Sequence, residues 1–341
     1  MRIIASEKHE LHHPSTELYG GQLVAPFERV DRWRYVAEAL AEAGHQPAED
    51  PGPVDLRRVG RIHTQPYLTL LAEAWDEWKA AGHQGEAIPS ILPVPGFRRI
   101  EPRDIEGRLG HFCLAVETSI MSGTWEAACS SAAVALRSAD LVAGGDEAFA
   151  LCRPPGHHAT ADQYGGYCFL NNAAIAAQSL LDGGASRVAV VDVDFHHGNG
   201  TQHIFYDRDD VLFVSLHGDP ADAFPHFSGY ADETGSGAGE GFNRNYPMAP
   251  GTGYDEWAEA LDDGLGQVIR YQPDALVVSL GVDTFERDPI SFFKLASADF
   301  TDYGARIGRL GLPTLFVLEG GYAVEEIGIN VAAVLDGYLN R

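Results

Sequence analysis
The chain of 341 residues is 45% hydrophobic and 21% charged, which supplies a sizeable core and excludes wholesale disorder or a fibrous assembly. Its 24 lysines and arginines stand against 49 aspartates and glutamates, a formal net charge of −25. That field repels phosphate backbones and anionic bilayers, so neither nucleic acid nor a membrane is an expected partner; it draws in cations, and it equally suits plain solubility.

In chain order, the first strand is expected at MRIIAS, and the N-terminus lacks the basic-then-apolar pattern of a secretory signal. His12 and His13 read as solvated surface residues. Helices are expected over Asp31–Ala43 and Pro66–Ala81. Residues 81–104, rich in Gly, Pro and basic side chains, are too long for an ordinary connection and read as a loop insertion. Strands are expected at EAFALCR from Glu147, RVAVVDVDF from Arg187, VLFVSLHG from Val211, ALVVSLGVD from Ala275 and PTLFVLEGG from Pro313. Several are almost continuously apolar, the pattern of strands buried on both faces of a parallel sheet. Helices at Asn171–Leu181, Asp255–Tyr271 and Asp302–Leu310 alternate with them, while residues 218–250 form a second Gly/Pro/aromatic tract. The rhythm predicts a single domain over 1–341, a doubly wound α/β fold with a mostly parallel sheet flanked by helices. No apolar run approaches the roughly 18 residues that span a bilayer. Cys113, Cys129, Cys152 and Cys168 form no CxxC pair and read as reduced thiols of a cytoplasmic protein.

Chemistry concentrates at three strand ends, where ligands of open α/β sheets bind. After RVAVV comes Asp192-Val-Asp-Phe-His-His-Gly-Asn-Gly-Thr201, in which Asp194 and His196 can point to one side and offer an oxygen and a nitrogen to a metal. Asp283 ends another strand. Together these three leave room for water, as in a catalytic rather than a structural zinc site. Arg153-Pro-Pro-Gly-His-His158 holds tandem imidazoles in a rigid turn, where different hydrogen-bond partners can separate their pKa values into one acid and one base. Leu318-Glu-Gly-Gly-Tyr322 permits a close turn that brings a phenol to the same mouth as an oxyanion donor.

RPPGHH, DVDFHHGNGT, SLGVD and LEGGY, in this order and spacing, resemble the arginase/deacetylase superfamily, in its zinc-dependent histone-deacetylase-like branch. ELYGG, GTWEAA, GGYCFLNNAA, HGDPADAFPHF, DTFERDPISFFKL and the 81–104 insertion are similar to bacterial acetylpolyamine amidohydrolases. The resemblance implies an arginase/deacetylase-type fold and one zinc ion on Asp194, His196 and Asp283. It also implies tandem catalytic histidines His157 and His158, the latter as general base and acid, with Asp192 behind His157 and Tyr322 polarising the carbonyl. Asn199 stands behind His158, where many relatives carry aspartate, so His158 is less cationic here. Potassium is implied at Asp192, Ser215 and the carbonyls of Asp194, His196 and Leu216, and a second potassium ion at the carbonyls of Phe205, Arg208, Val211 and Tyr246. Tyr167 and Phe224 are expected to line a substrate tunnel with Ile290 at its mouth, and Glu117 and Glu106 to meet distal amines of a small cationic acetylated polyamine.

Other readings are a deacetylase of lysine or another small amide, a dimanganese arginase-like hydrolase, disfavoured because the chain lacks a DxHxD run, and an inactive polyamine sensor, which would require loss of a ligand or of Tyr322. The apolar AIPSILPVPGF within the insertion predicts a homodimer that covers it.

Overall fold
The computed structural model describes residues 1–45 and 48–340. Within them the strands are β1 (Arg2–Ala5), β2 (Glu17–Tyr19), β3 (Gln22–Val24), β4 (Ala148–Leu151), β5 (Val188–Asp192), β6 (Val211–Gly218), β7 (Asn243–Met248), β8 (Ala275–Leu280) and β9 (Thr314–Leu318). β2 and β3 pair as a small antiparallel hairpin. The other seven form one parallel sheet in the order β1-β4-β9-β8-β5-β6-β7.

Every residue of β4, β5, β6, β8 and β9 is buried, which is why these segments read as unbroken apolar runs. Because side chains alternate across a strand, one sheet feeds two cores. Val188 and Val190 of β5 pack in a cluster with the helices Gln65–Ala80, Thr124–Ala143 and Asn172–Asp182. Ala189 and Val191 pack on the opposite face with the helices Asp31–Glu42, Tyr254–Tyr271, Ser297–Gly308 and Ile327–Leu339. This is the doubly wound arrangement expected, with all seven strands of the sheet parallel.

Three differences from the sequence reading have local causes. The helix Thr124–Ala143 carries buried alanines and serines around most of its surface, so it shows no amphipathic stripe to find. The second Gly/Pro tract contains β7, whose Asn and Pro residues disfavour a strand; it lies at the sheet edge beside β6, where a proline is tolerated. His12 is not solvated: it is 3% exposed, with Nδ1 3.0 Å from Thr124 Oγ1 and its ring against Phe169. His13 is exposed. The 81–104 segment forms neither helix nor strand and leaves Ile91, Val94, Phe97 and Ile100 exposed. Cys113, Cys152 and Cys168 are buried, and all four cysteines are free thiols.

Candidate active site
β4, β9, β8 and β5 are neighbours at the centre of the sheet, so the loops after their C-terminal ends converge. Asp194 Oδ1 accepts the N–H of His196 (2.8 Å), and Oδ2 that of Gly320 (2.7 Å). Asp283 Oδ1 accepts the N–H of Phe195 (2.7 Å). These backbone bonds aim the remaining donors inward: His196 Nδ1 lies 3.3 Å from Asp194 Oδ1 and 3.1 Å from Asp283 Oδ2. The three residues each offer a donor atom, all within 4.8 Å of one another, and all three are buried. Gly320 is required for this approach, since a Cβ there would overlap both carboxylates. Burial and the neighbouring Asp194 push the Asp283 carboxyl up to about 8, against the opposing pull of the His196 side chain bonded to it. Two carboxylate oxygens and one imidazole nitrogen converging in a buried cluster fit a divalent cation of mixed O/N preference.

The histidine turn after β4 presents its two imidazoles 4.0 Å apart. His157 Nδ1 is 3.0 Å from Asp192 Oδ2, whereas His158 Nδ1 is 2.7 Å from Asn199 Oδ1. Partner chemistry separates them. Burial opposes charge on His157, but Asp194 and Asp192 outweigh it and raise it to about 10. Burial, reinforced by His157 and His196, drives His158 well below its ordinary value, and an amide partner supplies no countercharge.

The phenol arrives from the turn after β9. Tyr322 is 7% exposed, its ring centroid 6.5 Å from that of His196, and burial holds its hydroxyl protonated far above the usual range. Two supports for this turn escaped the sequence reading. Asp288 Oδ2 accepts the N–H groups of Tyr322 (2.7 Å) and Ala323 (3.2 Å), while Oδ1 accepts that of Ile290 (3.1 Å). Glu319, fully buried, bonds Gly156 N–H (2.6 Å) and His157 N–H (3.1 Å), tying the tyrosine turn to the histidine turn. Its signal was visible as a lone acid ending the apolar run TLFVL.

Beneath both turns lies a buried Arg32–Glu28–Arg153 triad. Glu28 bonds Arg32 (2.9 Å) and Arg153 (2.7 and 3.0 Å), and Arg32 also donates to the carbonyls of Gly321 (2.7 Å) and Glu319 (2.5 Å). Glu28→Gln leaves two guanidinium groups buried without a countercharge, and is expected to lower stability by about 3–5 kcal/mol in denaturant titration. Burial opposes ionisation of Glu28, yet Arg153 and Arg32 hold it down near 2. Its stabilisation is therefore complete above the ordinary carboxylate value of 4.5 and is lost as pH falls toward 2.

A cavity of about 330 Å³ opens over the site, lined among others by His158, Tyr167, Phe224, Ile290, Tyr322 and Glu117. Tyr167, Phe224, Ile290 and Glu117 thus share one space with the His158 and His196 imidazoles, while His157 lies behind it. Glu106 does not line it: its side chain is 44% exposed on the helix Ile105–His111, 3.9 Å from His83. Asp192, the last residue of β5, pairs in register with Ser215 inside β6, and Ser215 Oγ lies 2.8 Å from His217 Nδ1. Phe205 ends the helix Asn199–Phe205, Arg208 lies in the connection that follows, Val211 opens β6, and Tyr246 pairs with Leu216.

Fold and site together give an open α/β sheet with a buried cluster of two carboxylates and one imidazole at its central strand ends, beside a tandem-histidine turn and a tyrosine turn. A model of the histone deacetylase domain matches residues 26–338. The chain is 58% identical over 341 residues to the acetylpolyamine amidohydrolase of Mycoplana ramosa, covering 99% of each chain. It is 51% identical over 339 residues to acetylpolyamine amidohydrolase 2 of Pseudomonas aeruginosa, covering 99% of this chain and 98% of that one. The crystal structure of acetylpolyamine aminohydrolase from Burkholderia pseudomallei superposes with a TM-score of 0.95 at 39% identity, covering 99% of this chain and 98% of that chain. The chain belongs to the histone deacetylase family.

Proposed function
We propose that this protein hydrolyses N-acetylated polyamines of the acetylputrescine, acetylcadaverine and acetylspermidine class to acetate and free amine, using one zinc ion at Asp194, His196 and Asp283. The observation that carries this reading is a single cavity shared by His158, His196 and Tyr322 on one hand and the carboxylates of Glu117 and Asp222 on the other. It offers a hydrolytic centre to the acetamide and negative charge to the cationic remainder of the substrate. The family and the names of the similar proteins point the same way.

A bound zinc ion supplies Lewis-acid polarisation of the acetyl carbonyl and makes water more acidic. His158, neutral because burial and cationic neighbours depress it, takes the proton of the attacking water and passes one to the leaving amine nitrogen. Asn199 orients its ring through Nδ1 without adding charge. His157, kept cationic by Asp192 and Asp194, remains a fixed positive charge beside the developing oxyanion, and Tyr322 donates its hydroxyl to that oxygen. Tyr167 and Phe224 hold the aliphatic chain, Ile290 narrows the mouth, and Glu117 meets an ammonium group. Glu106 can serve only distal or partner-contributed contacts from its position outside the cavity.

The test is acetate release from acetylputrescine and from an acetyl-lysine peptide at equal concentration, before and after chelation and zinc repletion. Chelator-sensitive, zinc-restored preference for acetylputrescine supports the reading, and preference for the peptide sinks it. Two structural potassium ions, on the Asp192/Ser215 set and at Phe205, Arg208, Val211 and Tyr246, belong to the same proposal. Replacing potassium with tetramethylammonium should lower the unfolding temperature, and an unchanged midpoint would remove them. The four free thiols suit a cytoplasmic setting.

The partner surface proposed is a second copy of this chain. Ile91, Val94, Phe97 and Ile100 are 64, 49, 68 and 59% exposed, a run of apolar side chains that dimerisation through the 81–104 insertion would cover. Light scattering at micromolar concentration should give a dimer mass. Replacing Phe97 and Ile91 with Ser should give monomers, and a monomeric wild type would refute the arrangement.

A further inference from the structure
Tyr167 has φ +66°, a left-handed conformation unusual for a bulky aromatic residue. Its surroundings hold it there. Gly166 N–H donates to Glu117 Oε1 (2.6 Å), Tyr167 N–H donates to Thr118 Oγ1 (2.8 Å), and a Cβ on Gly166 would overlap the His158 ring. The side chain is anchored separately, its hydroxyl donating to Glu17 Oε1 (3.1 Å), while Glu17 Oε2 accepts Phe27 N–H (3.1 Å). Glu17 lies on the β2–β3 hairpin and is 2% exposed.

Tyr167 is also a partition. It lines the 330 Å³ cavity on one side and, on the other, a void of about 10 Å³ bordered by Glu17, Glu28 and Glu117. Glu28 is neutralised by Arg32 and Arg153. Glu17 and Glu117 have no ion-pair partner among the described residues, and burial pushes Glu17 up to about 7. A buried carboxylate without a countercharge is unfavourable unless a cation arrives to compensate it.

We propose that Glu17 is a specificity-determining positioning residue that acts through Tyr167. By taking the phenol's single proton in a hydrogen bond, it fixes the ring as the cavity wall and leaves the phenol oxygen only lone pairs to offer. Such an oxygen accepts from an ammonium N–H and gains nothing from an uncharged chain. Glu17 does not line the large cavity, so its influence on substrate passes through Tyr167. The inference rests on the proposed preference for cationic acetamides.

The experiment compares kcat/KM for acetylputrescine with that for N-pentylacetamide, its uncharged isostere, in wild type, Glu17→Gln, Tyr167→Phe and the double variant. Each single variant should lower the ratio of the two by about tenfold, the scale of one hydrogen bond to a charged group, and the double variant should lower it no further. An equal loss on both substrates in Glu17→Gln, or a double variant whose loss multiplies the single ones, overturns the proposal. Glu17→Gln leaves one acceptor oxygen for the two donors Tyr167 O–H and Phe27 N–H, whereas Tyr167→Phe removes the phenol outright, so an unstable Glu17→Gln does not shield the idea: an unchanged ratio in Tyr167→Phe overturns it alone. A wild type with no preference for acetylputrescine overturns the functional reading itself, a failure visible before any variant is compared.

Discussion

Asp283→Asn is expected to abolish stoichiometric zinc and to lower turnover of acetylputrescine by at least about 10³-fold, the several kcal/mol that Lewis-acid stabilisation contributes. The substitution keeps the shape of the side chain and an oxygen for the Phe195 N–H, but removes one of the two charges that attract the metal. Its second consequence separates it from general damage. In metal-free protein the Asp194 and Asp283 carboxylates oppose each other, so metal-free Asp283→Asn should melt a few degrees above metal-free wild type. Zinc should then stabilise wild type strongly and the variant little. Metal analysis and melting curves with and without chelator measure this. Full metal content with full turnover would show that the ligand assignment is wrong.

Tyr322→Phe is expected to lower kcat by about 10²–10³-fold with KM little changed, the usual effect of removing one oxyanion donor. The substituted ring fits the same space under the Arg32 guanidinium, 4.9 Å from the ring centre, and the backbone bonds to Asp288 are untouched. Stability should therefore hold, and the loss belongs to the hydroxyl. Because burial keeps that hydroxyl protonated throughout the working range, the pH–rate profile should fall in height without shifting along the pH axis. Steady-state kinetics across pH measures both. A change confined to KM would make Tyr322 a substrate-positioning group instead.

The two predictions rest on parts of the molecule that differed in legibility. Asp194, His196, Asp283, the tandem histidines and Tyr322 stand in short motifs directly after apolar runs, so both their chemistry and their place at strand ends could be read locally. The supports beneath them could not. Arg32 bonds a carbonyl 287 residues away and Glu17 a hydroxyl 150 residues away; nothing near Arg32 marks it, and although Glu17 opens the ELYGG segment, that segment does not say which distant phenol it meets. Glu319 and Asp288 sit inside recognisable segments, but their task is to accept backbone N–H groups of distant turns, which leaves no pattern of its own.

The boundaries show the same division. The runs beginning at Arg187, Ala275 and Pro313 read as strands continuing into the site, whereas β5, β8 and β9 stop at Asp192, Leu280 and Leu318. One residue further on the ladder gives way to buried carboxylates, which take the following N–H groups, as Asp192 does for Asp194, Asp283 for Phe195 and Asp194 for Gly320. Conversely β7 forms from residues of poor strand propensity because β6 offers it a free edge.

From the sequence alone came the α/β class, five of the sheet's central runs and the candidate ligands, since period, burial and motif chemistry are properties of contiguous residues. Tertiary structure decided that Glu117 enters the cavity while Glu106 stays outside it, that His12 is buried, and that Glu28 holds two arginines under the site. Those outcomes depend on which distant surfaces meet when two layers of helices close on one sheet. The free energy of a charge depends on those neighbours rather than on the residues beside it in the chain.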